Sequence, residues 1–280
     1  MVSWTTLAAL ALVIGGSARG QDDKGEGRED RALVERWRRE VAEYSIVALT
    51  NPETTLSVKS EPALRWTNPV RNTDGGLVFL WLAGGRPQAV SCFYRVRWEG
   101  RLVEAHEFLS LAPVALSASR GGRNVWSPRG AGVVAKPVPG AAKPAASAAE
   151  RLRQIRGLAR EFRAFVDVEK GQTALRMLSQ PAARYEAVPV AGATTERSAD
   201  GALFAFVLTT DPEAWLVIDE RPAEGEKGTA NAWHYAFARM TSHSLAAKHR
   251  DQLVWEVARD PDDGFPGKPF CSLWDVGPKP

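Results

Sequence analysis

One stretch of this chain occurs twice, and that repetition limits the fold more than any other feature. Thr54–Trp66 aligns without a gap on Thr173–Tyr185. Identical pairs are Thr54/Thr173, Leu56/Leu175, Ser60/Ser179, Pro62/Pro181, Ala63/Ala182 and Arg65/Arg184, and Trp66/Tyr185 keeps an aromatic. The landmarks that follow keep their order. Asp74-Gly75 and Asp200-Gly201 precede apolar runs, Gly85-Arg86-Pro87 matches Thr210-Asp211-Pro212, and Val125-Trp126 matches Val254-Trp255. The offset grows only from 119 at Arg65/Arg184 to 129 at Trp126/Trp255, as expected of a duplication with small loop insertions.

Hydrophobic periodicity assigns elements to each copy. Asp30 can cap a helix carrying Leu33, Val34, Trp37, Val41 and Tyr44 at helical spacing. Ser147 and Glu150 form a capping box before a second helix with Leu152, Ile155, Leu158, Ala159, Phe162 and Phe165 on one face. Short aromatic-rich runs at 77–82, 89–98, 102–111, 202–209, 214–219 and 231–240 read as antiparallel strands. The expected fold is therefore α+β, an internally duplicated unit of one helix followed by about four antiparallel strands. The two halves would be packed or merged pseudo-symmetrically, or else form two domains joined by a linker. The expected boundaries are a signal peptide at 1–20, a disordered lead-in at 21–29 and a first repeat at 30–127. A Pro/Gly/Ala linker at 128–146, a second repeat at 147–258 and a C-terminal tail at 259–280 complete the chain.

The N-terminus supplies an address. Trp4–Ile14 is apolar but too short to span a bilayer, and Ala18-Arg19-Gly20 fits a small-x-small cleavage site, giving a mature chain from Gln21. No transmembrane segment is expected in the mature chain, and the location is exported, periplasmic or extracellular. A net charge of +3, spread along 280 residues, argues against nucleic acid as partner. Cys92 and Cys271 either form one disulfide or remain two thiols, since spacing cannot supply the geometry.

Leu64–Pro69 leading into Asp74-Gly75, together with Gly85-Arg86-Pro87, His106-Glu107-Phe108, Asp200–Phe204, Thr210–Glu213, Trp233, Arg239 and Met240, resembles a group of exported planctomycete proteins of unknown function. The resemblance covers most of the mature chain. It implies export and a shared fold and nothing more.

Candidate chemistry is sparse. His106 and His234 lie at roughly equivalent places, but His106 and Glu107, as strand neighbours, should point to opposite faces. No zinc-binding spacing, phosphate-cradling loop or nucleophile elbow is present, so neither a metal nor a cofactor is expected. Asp211 and Glu213 can form an acid/base pair present in one copy only, because Arg86 and Gln88 stand at the matching places. Arg65 and Arg184, each beside an aromatic, can hold an anionic ligand or pair with an acidic residue of their own half. The expected function is a non-catalytic binding or scaffold protein of the cell envelope. The alternative is an envelope-polymer hydrolase using a carboxylate or histidine.

Overall fold

A period of two, the signature of strands, governs far more of the chain than a period of 3.6. Between Arg86 and Trp98, Val90, Cys92, Tyr94 and Val96 face one core while Ala89 and Phe93 face another. The computed structural model describes residues 22–50, 53–68, 73–168, 171–187, 199–223 and 231–274. The expected signal peptide, 1–20, lies outside the described residues.

In the first half, α1 (Asp22–Val41) leads into β1 (Tyr44–Ala48), β2 (Thr54–Thr55), β3 (Ser57–Val58) and β4 (Leu64–Asn68). The long strands β5 (Thr73–Ala83), β6 (Arg86–Trp98) and β7 (Arg101–Ser110) follow, then β8 (Leu116–Arg120) and β9 (Arg123–Trp126). The crossing segment holds β10 (Lys136–Pro137). In the second half, α2 (Ala148–Arg160) precedes β11 (Phe162–Val168), β12 (Gly171–Met177), β13 (Ala183–Ala187), β14 (Ala199–Leu208), β15 (Asp211–Pro222) and β16 (Asn231–Arg239). β17 (Leu245–His249), β18 (Gln252–Val257) and β19 (Phe270–Trp274) complete it. The sheets run β2-β1-β8-β9, β19-β7-β6-β5-β3 with β4 on β5, and β10-β16-β15-β14-β12-β11-β17-β18 with β13 on β14.

The α+β expectation is thereby corrected. The described residues are mostly β, in curled antiparallel sheets with two helices, and among them units of one helix with four strands do not form. Segments read as helix or loop became strands. Phe162 and Phe165 were assigned to the second helix, yet α2 ends at Arg160, with Glu161 as its C-cap. Phe162, Ala164 and Val166 then alternate inward along β11. Tyr44 begins β1 instead of ending α1, and the C-terminal tail adds β19 to β7, pairing Phe270 with Leu109 and Cys271 with Phe108. The lead-in expected to be disordered at 21–29 is helical from Asp22 onwards. Asp74-Gly75 and Asp200-Gly201, which precede the apolar runs in sequence, belong to the same strands, β5 and β14. The serine half of the capping box forms, with Ser147 Oγ accepting the Glu150 N–H at 3.3 Å, while the Glu150 carboxylate accepts from the Ser147 hydroxyl at 2.8 Å. No helix among the described residues is long and apolar enough to cross a membrane.

The twin segment has a clear local role. Trp66 on β4 lies opposite Gly76, and Tyr185 on β13 lies opposite Gly201. A Cβ at Gly76 would come within 2.5 Å of the Trp66 ring, and one at Gly201 within 2.6 Å of the Tyr185 ring. Each ring covers a strand glycine that offers no side chain of its own to the sheet.

Three cores result. α1 packs with β1, β5 and β8 over Trp37, Ile46, Phe79, Phe93, Phe108 and Trp126. α2 packs over Ile155, Phe162, Phe204, Phe206, Trp233 and Phe237. The third core joins the halves, bringing Val78, Val90 and Cys92 against Leu203, Trp215 and Val217. Each half also reaches across with its hairpin turn. Arg86 Nη2 contacts Asp219 Oδ2 at 2.5 Å, and the Thr67 N–H donates to Thr210 Oγ1 at 3.0 Å. The expected linker at 128–146 is an ordered crossing, with β10 paired to β16 and Val133 and Val138 buried.

Candidate functional site

Strand alternation sorts the polar residues of β7 between two environments. Glu104 and His106 face α1, whereas Glu107 faces the core between the halves, beside Cys92 and Ser272 in register. There the sheets part to leave a cleft of about 350 Å³. Among the described residues four carboxyl groups line it: Glu107 from β7, Asp211 and Glu213 from the start of β15, and Asp263 from the loop before β19. Trp66, Tyr94, Trp98 and Trp274 supply aromatic surface, and Arg97 and His243 also contribute to the lining.

Glu107 is the chemically distinctive member. Tyr94 Oη donates to its Oε1 at 3.1 Å, and Ser272 Oγ at 3.4 Å. Although the residue opens partly onto the cleft, its carboxyl is packed about by other side chains. Burial pushes its pKa well above the usual carboxylate range, and the charges of Asp211, Glu213 and Asp263 add to this against the lowering pull of Tyr94. Asp263 is also raised, chiefly by burial, against a hydrogen bond with Ser242. Asp211 is oriented by Asn68, whose Nδ2 donates to Oδ2 at 3.2 Å. At the rim, Trp98 and Trp274 are 56% and 45% exposed and meet edge to face, with centroids 6.0 Å apart. Large exposed indoles at a cleft mouth are available to a ligand's face.

Of the residues singled out in the sequence, Asp211 and Glu213 therefore converge on the cleft, and His106 and His234 do not. His106 lies on the α1 side of β7, while His234 is buried on β16 with Nδ1 3.2 Å from the Ala232 carbonyl. Their presumed equivalence fails because they face different cores. Arg184 pairs with Asp200 Oδ2 at 2.7 Å, within its own half, and Arg151 reaches the same carboxylate at 2.9 Å. Arg65 is exposed on β4. Cys92 and Cys271 are free thiols. They occupy opposite faces of one sheet, Cys92 in the core between the halves and Cys271 in the α1 core, so a disulfide between them is excluded by strand geometry. Glu107, Tyr94, Asp263 and Trp274 were missed. The alternation that separates Glu107 from His106 was itself the signal that Glu107 belongs elsewhere.

No family model matches the chain, and neither a curated protein nor a solved structure matches it.

A stability prediction follows from Glu107. Between the ordinary carboxyl range and its raised folded value, the folded protein holds a proton that the unfolded chain has released. Stability therefore falls as pH rises through that window, by up to about 1.4 kcal/mol per pH unit. Glu107→Gln, which keeps an acceptor for Tyr94, should match the parent near pH 4 and exceed it in denaturant midpoint at pH 8. Equal midpoints at pH 8 would show that Glu107 is not held protonated.

Proposed function

We propose that this is an exported, non-catalytic binding protein of the cell envelope, and that its cleft takes a small organic cation with an amine or guanidinium head. The observation that carries the reading is a reversal of charge between the two ends of the central interface. At one end the β5–β6 turn delivers Arg86 to the buried carboxylate of Asp219, beside Tyr185. At the other end the β14–β15 turn delivers Asp211 towards Glu107, Tyr94 and Trp66. A ligand cation in the cleft would take the position among carboxylates and aromatics that the Arg86 guanidinium takes opposite. Carboxylates stabilise such a head by charge, and the Trp98 and Trp274 faces add cation–π attraction.

The matching strand orders β2-β1-β8-β9 and β12-β11-β17-β18 support common ancestry of the two β-rich halves. Divergence at Arg86 and Asp211 would then have turned one end into a clamp and the other into a site. Export rests on the apolar Trp4–Ile14 stretch and on the resemblance to exported planctomycete proteins.

The binding reading is tested by titrating the protein with methylguanidine and following tryptophan fluorescence. Trp274→Ala and Asp211→Asn should each weaken binding by roughly tenfold. Unchanged affinity in both variants would remove the ligand from this cleft.

One observation favours a second reading. A protonated Glu107 close to ionisable Asp211 and Glu213 has the form of a general acid with a base, as in glycan hydrolysis. Release of reducing ends from envelope glycan, abolished by Glu107→Gln, would establish it, and the binding reading predicts none.

A further inference from the structure

A second polar cluster lies on the opposite face of β7, away from the cleft. Glu104 and His106 share that face, and Glu40 approaches from the last turn of α1. His106 is fully buried, and Glu40 and Glu104 are 7% and 8% exposed. One ligand atom from each lies within 4.8 Å of the others. His106 Nε2 is 3.6 Å from Glu40 Oε2 and 3.6 Å from Glu104 Oε1. Those separations are too long for hydrogen bonds, and among the described residues neither His106 Nε2 nor Glu40 Oε2 has a hydrogen-bond partner. A buried ring nitrogen facing two carboxylate oxygens it does not bond is costly unless a shared ligand binds all three.

We propose that Glu40, Glu104 and His106 bind a divalent transition-metal ion of the zinc type, which fastens α1 to β7. Two ligands of a tetrahedral ion, each about 2.0–2.1 Å from the metal, stand about 3.4 Å apart, close to the observed spacing. One imidazole with two carboxylates is a donor set suited to zinc and its neighbours.

The surroundings hold these ligands in place. Tyr44 Oη lies 2.7 Å from His106 Nδ1, and a proton kept on Nδ1 leaves the Nε2 lone pair for the metal. Phe93 stacks on the imidazole with centroids 3.6 Å apart. Arg36 engages the outer oxygens, Glu40 Oε1 at 3.4 Å and Glu104 Oε2, so the inner oxygens are turned towards His106. Trp37 Nε1 donates to Glu104 Oε1 at 2.7 Å and fixes that carboxylate further. The sequence held part of this pattern, because Glu104-x-His106 on a strand puts both side chains on one face. Glu40 is far away in the chain and only the packing of α1 brings it near.

The test uses the untagged full chain, stripped with chelator and dialysed against zinc chloride. About one zinc per chain and a raised melting temperature are expected. Glu40→Gln and His106→Gln should weaken binding by 100-fold or so, and Tyr44→Phe, which removes only the support to Nδ1, by about tenfold. Circular dichroism in chelator checks that the variants fold. Should they not, X-ray absorption of the zinc-loaded parent decides: one imidazole nitrogen with oxygen ligands supports the site, and a shell of oxygen alone contradicts it. No zinc uptake, or equal uptake by folded variants, would overturn the proposal.

Discussion

Asp219→Asn is expected to destabilise the protein by about 3 kcal/mol, because it removes the charge that two arginines share at the central interface. Asp219 is 2% exposed and receives Arg86 at 2.5 Å and Arg221 at 2.9 Å, with Tyr185 Oη at 3.4 Å. The amide keeps the shape and one acceptor oxygen but loses the charge, leaving the Arg86 guanidinium against a core with no opposite charge to stabilise it. Removing one partner of a buried pair costs far more than the pair contributes over an apolar replacement. Arg86 belongs to the first half and Asp219 to the second, so denaturant unfolding should also report on whether the halves separate. A single lowered midpoint with unchanged slope is expected. A loss under about 0.5 kcal/mol would mean the clamp is solvent-screened and carries little energy.

Gly132→Ala should be comparably damaging, although it adds one methyl group to a segment that composition marks as a linker. A Cβ there would lie 2.1 Å from the Ser110 carbonyl oxygen and 2.4 Å from its carbon. Those are backbone atoms of β7, whose Ser110 N–H is bonded to the Pro269 carbonyl at 2.8 Å, so they cannot yield as a side-chain tip can. Gly132 N–H itself donates to the Ala112 carbonyl at 2.8 Å, and moving the loop aside would break that bond. The cost expected is about 2–4 kcal/mol, measured as a fall in chemical-denaturation midpoint. A neutral result would show that residues 128–146 are a slack tether and not a packed crossing.

What could be read from the sequence was local. The helix start at Ser147 and the long strands around Phe79, Cys92 and Phe237 were legible, because neighbouring side chains dictate them, whereas spacing alone left Arg184 open between an anionic ligand and an acidic partner. Strands such as β1, β8, β11, β17 and β19 were not. They are five to seven residues long, and so short an apolar run reads equally as the end of a helix or as loop. Only their partners decide, and those lie as far away as Leu109 is from Phe270. The twin segment illustrates the limit. Its recurrence was plain, but its role, a ring laid over Gly76 or Gly201, depends on cross-strand register that sequence spacing cannot supply.

The candidate site was legible by half for the same reason. Asp211 and Glu213 stood out because the other copy has Arg86 and Gln88 there. Glu107 and Asp263 join them only after β7 and β19 pair and the sheets pack. The histidines do not join the cleft, because strand face and not residue type decides which core a side chain enters. His106 belongs with Glu104 and Glu40 beneath α1, on the far side of the strand from the cleft.

The most direct test of the cation-binding cleft is calorimetric titration at pH 7 with methylguanidine and with its neutral isostere methylurea, in two buffers of different ionisation enthalpy. A cation placed beside Glu107 favours its ionised form, so methylguanidine should bind with release of up to one proton, seen as a buffer-dependent heat. Glu107→Gln should lose that dependence, and methylurea should bind at least tenfold more weakly. Equal binding of the two probes, or methylguanidine binding without proton release, would contradict the account.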